Sequence, residues 1–179
     1  MTQTPDDLIR LGYQARREKR LADAKRIFLE SVELCREAAN QSLLAGSLVG
    51  LGQIERDLKD TRAALQHYSE AVGICRTENN PLRLAHTIRH LADILREDGA
   101  LEGARPHYEE ALRIYRQEPD APPLDMANAI RGFALLREGA GESKEASDLW
   151  REARALYDAV NVKAGIEESN LQIARLTAR

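Results

Sequence analysis

The chain has 179 residues, of which 31% are charged and only 4% aromatic, and its formal net charge is -3 with a pI near 5.9. That balance disfavours a general nucleic-acid binder, because a phosphate footprint calls for a basic domain. No stretch of 18 or more apolar residues occurs, and the run from Met1 to Asp7 is not a basic segment leading into an apolar one, so neither a membrane span nor an export signal is expected.

In chain order, Thr4 is placed to cap a first helix, with Pro5 at its first position and Asp6 and Asp7 against the positive end of the dipole. That helix carries Leu11-Gly12, and the same hydrophobic-small pair returns as Leu51-Gly52, Leu91-Ala92 and Phe133-Ala134. Twelve residues after each small residue stands an alanine: Ala24, Ala64, Ala104 and Ala146. Four further on comes an aromatic, Phe28, Tyr68, Tyr108 and Trp150, and three beyond that a small residue, Ser31, Ala71, Ala111 and Ala153. The copies step by 40, 40 and 42 residues, which is the mark of a solenoid of stacked helix pairs.

The first helices are expected to end near Arg16, Arg56, Arg96 and Arg137. Lys19, Lys59, Gly99 and Gly141 follow at the positions where a left-handed cap is wanted. Asn79-Asn80-Pro81 and the run from Glu118 to Pro123 break the chain between copies, and the second break holds the two-residue insertion. The repeats are bounded at about 5–38, 43–78, 83–118 and 125–160, within a single domain 1–179. A last helix, about 163–178, has Ile173-Ala174 in register with Leu91-Ala92 but no partner helix, so it is expected to act as a cap with Glu167, Glu168, Gln172 and Arg175 facing water. Cys35 and Cys75 occupy one position in consecutive copies, roughly a helix spacing apart, and are expected to stay reduced as packing residues.

This ordered set of positions resembles the tetratricopeptide repeat. The period near 40, the segment from Asn80 to Ala92 and the segment from Tyr108 to Tyr115 are similar to the longer-repeat branch that includes kinesin light chains. The resemblance implies an all-α, right-handed superhelix of four helix pairs plus a C-terminal capping helix, whose concave surface is lined by the first helices and often holds extended peptides. In that branch an asparagine before the Leu-Ala pair grips the peptide backbone. The matching positions here are Arg10, Gly50, His90, Gly132 and Gln172, so that ladder is absent and the branch's ligand is not carried over.

The family register places Tyr13, Arg16, Gly46, Val49, Gln53, Arg56, His86, Arg89, His90, Asp93, Arg96, Asn128, Arg131 and Leu135 on the concave face. Arg16, Arg56 and Arg96 recur every 40 residues, and Arg89 and Arg131 form a second row, while Glu30, Glu33, Glu37, Glu70, Glu109 and Glu110 fall on second helices. Guanidinium forks take carboxylate or phosphate bidentately, so this segregation points to an acidic or carboxylate-bearing peptide as partner. The alternative is that the arginines pair with Asp57, Asp93 or Glu97 as a solvated face. Gly46 and Gly50 either leave a hollow beside His86 and His90 or let neighbouring helices approach closely.

His86 and His90, four apart, share a helix face with Asp93 one turn on, but Arg89 between them repels a cation, so no metal and no cofactor are expected. No nucleophile constellation is visible, and the chain is expected to be a non-catalytic interaction module. Self-association through the C-terminal end, near Trp150 and Arg154, is a second expectation, and single-stranded nucleic acid along the arginines a weaker third. Arginine outnumbers lysine 21 to 5, which points to a GC-rich bacterial genome, and the cytoplasm is the expected location.

Overall fold

The computed structural model describes residues 3–178; Met1, Thr2 and Arg179, the ends of the expected 1–179 domain, lie outside the described residues. Among the described residues there are nine helices and no strand. They are α1 (Pro5–Arg17), α2 (Leu21–Glu37), α3 (Gln41–Asp57), α4 (Thr61–Thr77), α5 (Pro81–Glu97), α6 (Leu101–Gln117), α7 (Pro123–Gly139), α8 (Ser143–Ala159) and α9 (Lys163–Thr177). The chain divides into two compact units, one running to Thr87 and the other from Ile88, a boundary that falls inside α5.

Helix ends follow the local chemistry. Thr4 and Asp7 form a capping box at α1, with Pro5 at the first helical position. Asn40 caps α3 through Leu43 N, Asp60 caps α4 through Ala63 N and Asn80 caps α5 through Arg83 N, each at 3.0 Å. The turns inside the pairs close on left-handed residues, Lys19 at φ 61°, Lys59 at 68°, Gly99 at 82° and Gly141 at 80°. Two turns that follow second helices also close this way, on Ala39 and Asn161 at φ 51° and 56°. Neither carries the glycine that would announce it in sequence.

In the first unit α1 packs on α2, α2 on α3 and α3 on α4; in the second, α6 packs on α7, α7 on α8 and α8 on α9. The repeated residues are the core. Ala24, Ala64, Ala104 and Ala146 are fully buried, as are Phe28, Tyr68, Tyr108 and Trp150, because an alanine one turn before the ring lets the helices close on it. Cys35 and Cys75 are free, buried and packed against the hydroxyls of Ser47 and Thr87.

Two sequence expectations need correction. The hollow considered at Gly50 is filled: a Cβ there would stand 2.1 Å from Cε1 of Phe28, and one at Gly12 would stand 2.7 Å from the same ring. Gly132 is likewise covered by Tyr108, at 2.7 Å. The absence of asparagine at Gly50 and Gly132 therefore has a steric cause, since the ring of the preceding second helix occupies the space. Glu168, expected to face water from α9, instead accepts both Nε and one terminal nitrogen of Arg131 at 2.6 Å each, and Arg175 of the same helix pairs with Glu138.

Candidate functional site

In the first unit the end of α1 meets the end of α3. Arg16 donates from Nε to Asp57 at 2.7 Å and from a terminal nitrogen to Gln53 Oε1 at 2.5 Å. The Asp57 carboxylate holds its pKa above the ordinary arginine value. Tyr13, one turn back, stands edge-on to Phe28 with ring centroids 5.1 Å apart. Tyr13, Arg16, Arg17, Lys19 and Asp57 line an open cavity of about 310 Å³. Arg56 on α3 and His86 on α5 are both half-buried.

In the second unit the predicted residues form a polar network inside the protein. Arg89, His90 and Asp93 are 8%, 7% and 7% exposed, far less than charged groups on a solvated face. Arg89 reaches Asp93 Oδ2 at 2.8 Å and His90 Nε2 at 2.9 Å. A guanidinium only donates, so Nε2 accepts and the imidazole carries its proton on Nδ1. Tyr108 donates to the other oxygen of Asp93 at 2.6 Å and accepts from Arg96 Nε at 3.3 Å. Burial first, and the Asp93 carboxylate second, push the Tyr108 phenol well above its ordinary pKa, so it stays a donor.

Arg131 on α7 is bound bidentately by Glu168, which raises its pKa, and Asn128 accepts from the Tyr157 hydroxyl at 2.9 Å. Arg96 also donates to Glu97 at 3.1 Å. The structure thus brings together Arg16 with Gln53, Arg89 with His90 and Asp93, and the last of these with Arg96 through Tyr108. Arg16, Arg89, Arg96 and Arg131 each hold a carboxylate of this chain, three of them the acids named by the pairing alternative.

The residues missed in sequence are the tyrosines and the acid that complete these pairs: Tyr108, Tyr157 and Glu168. One signal was present. Arg16 and Gln53, Arg105 and Glu142, Arg131 and Glu168, and Glu138 and Arg175 are all 37 residues apart, one repeat less about one helical turn. Among the described residues no group of three or more His, Cys, Asp or Glu side chains is arranged to hold a metal ion, and no helix is long and apolar enough to cross a membrane.

The family model for the tetratricopeptide repeat matches residues 8–77 and 83–159. Comparison with curated protein sequences finds no match. Among solved structures, BtubC (BKLC) from P. vanneervenii is 16% identical with a TM-score of 0.73, over 97% of this chain and 79% of that one. The apo form of RapI is 14% identical with a TM-score of 0.78, over 96% of this chain and 47% of its own. A Rap protein complexed with competence and sporulation factor is 18% identical with a TM-score of 0.80, over 95% and 47% respectively. At these identities the likeness is one of fold, and the chain spans a little under half the length of the two Rap proteins.

Proposed function

The chain belongs to the tetratricopeptide repeat family, whose helix pairs serve as protein–protein interaction scaffolds, and from that premise we propose that it holds an acidic or carboxylate-bearing peptide against its first-helix faces. The observation that carries this reading is the bidentate pair of Arg131 with Glu168. It displays a first-helix guanidinium already aligned for a carboxylate in the geometry that a peptide acid would use. On this reading a guest engages Arg16, Arg56, Arg89, Arg96 and Arg131, and exchanges with the chain's own acids Asp57, Glu97 and Glu168 at Arg16, Arg96 and Arg131. Gln53, His86, His90, Asp93 and Asn128 set its register.

The Rap structure carries competence and sporulation factor, so the fold accommodates a bound ligand in that protein. The reading also takes 1–179 as one interaction domain of a bacterial cytoplasmic protein. Self-association is the weaker alternative. The α9 positions that match buried Ala127 and Ile130 are Glu167 and Asn170, both exposed, and a polar end face suits a cap better than a dimer contact.

Arg89→Glu would set two carboxylates together in a buried site, a fold-breaking change, so Arg96→Gln with Arg131→Gln is the informative variant. A native-lysate pull-down read by mass spectrometry at two salt concentrations is expected to retain an acidic partner on the wild type and lose it on the variant. Identical captured sets would overturn the proposal.

A further inference from the structure

The cavity at the end of α1 is lined by three cations, Arg16, Arg17 and Lys19, with the Tyr13 ring and Asp57. Asp57 neutralises Arg16, and the nearby Glu18 is turned away to Gln14 and Arg20. Among the described residues the side chains of Arg17 and Lys19 make no hydrogen bond or ion pair, although the Arg17 charge helps to lower the pKa of Glu18. Arg16 gives one N–H of each terminal nitrogen to Gln53 and Asp57 and keeps the second N–H of each. The lining therefore carries two positive charges that no hydrogen bond or salt bridge of this chain takes up.

Repeat stacking does not require this composition. At the position of Arg17 the second and third copies place Asp57 and Glu97, and at the position of Tyr13 the later copies place Gln53, Asp93 and Leu135. Three copies build the same turn without the aromatic or the cation. The helix dipole favours Arg16 and Arg17 in the last turn of α1, but it does not account for Tyr13. The left-handed lysine is shared with the second copy, Lys19 at φ 61° and Lys59 at 68°, so it is Tyr13 and Arg17 that set the first copy apart.

The geometry points to an anion subsite at the end of α1, in which Arg16, Arg17 and Lys19 hold a phosphate monoester and the Tyr13 hydroxyl donates to it. Such a group carries about −1.5 to −2 charges at neutral pH and three acceptor oxygens, matching two unneutralised cations, the free N–H groups of Arg16 and a phenol donor. A single carboxylate would leave one of those charges unanswered. The subsite shares only Arg16 with the acidic-peptide reading, so either can fail without the other.

The test titrates the full chain, labelled with nitrogen-15, with inorganic phosphate and with a short phosphoserine peptide. Sodium chloride of matched ionic strength is the blank. Saturable shifts of the amides from Tyr13 to Lys19 are expected with a phosphoryl probe; the peptide alone acting would assign the source to a modified protein, and inorganic phosphate alone acting would assign it to the free ion. The double variant Arg17→Asp, Lys19→Gly takes its aspartate from the second copy (Asp57) and its glycine from the third and fourth (Gly99, Gly141) and relieves the backbone at Lys19, so it is expected to fold. Its affinity is expected to fall by about tenfold or more, the scale of losing two charge-assisted contacts. Shifts no larger than those in chloride, or a variant that binds as the wild type does, would overturn the subsite.

Discussion

Phe28 lies between Gly12 and Gly50, and any side chain at Gly50 must displace its ring. Gly50→Ala is therefore expected to cost about 1–3 kcal/mol, the range for overpacking a filled core. Gly73 lies within α4 and a Cβ there meets nothing within 4 Å, so Gly73→Ala is expected to stabilise by about 0.5–1 kcal/mol. Urea melts of the two variants check this, and equal effects would refute the steric account. The glycine was visible in sequence while its cause was not, because the ring that fills the space comes from the preceding helix, 22 residues upstream. In the same way Arg89 and His90 were legible as close neighbours of Asp93, about one turn on. Their burial was not, because Tyr108, which completes the network, reads in sequence only as one of the repeated core aromatics.

At the scale of the element, α9 shows how a helix outside the four pairs is held. It buries Gly165 under Tyr157, where a Cβ would lie 2.5 Å from the ring, and Ser169, whose hydroxyl donates to the Gly165 carbonyl. It is tied to α7 by a crossed set of charges, Arg131 to Glu168 and Glu138 to Arg175, with the donors and acceptors seven residues apart on each helix. A shift of α9 by two turns would bring like charges together, so the crossing fixes register. Arg131 and Glu168 are 37% and 31% exposed, and their coupling in a double-mutant cycle is expected to be about 0.5–1 kcal/mol. Glu168→Gln should speed amide exchange along α9, and the swap Arg131→Glu, Glu168→Arg should restore protection; no recovery on swapping would remove the charge argument. The register of α9 was readable from Ile173 and Ala174. Its anchoring was not, because the partners lie one repeat away.

For the whole molecule, the period announced itself because the alanine, aromatic and small positions are dictated by packing and every helix pair faces the same demand. The guest did not, since a fold of this kind is shared by proteins with unrelated tasks. What the side chains do reveal is a chain that pairs many of its own charges, from Arg16 with Asp57 to Arg116 with Glu152. With that self-pairing and a polar α9, the protein is expected to sediment as a 20.0 kDa monomer at all accessible concentrations. A concentration-dependent rise to twice that mass would instead favour self-association.

Three of the turns place Lys19, Ala39 and Lys59 in left-handed backbone, the conformation that Gly99 and Gly141 adopt without a Cβ penalty. Each such residue gives up about 1 kcal/mol relative to glycine, equivalent to about 2–4 °C in a chain of this size. The protein thus keeps a margin of heat tolerance within reach of loop changes alone, with its core and ion pairs untouched.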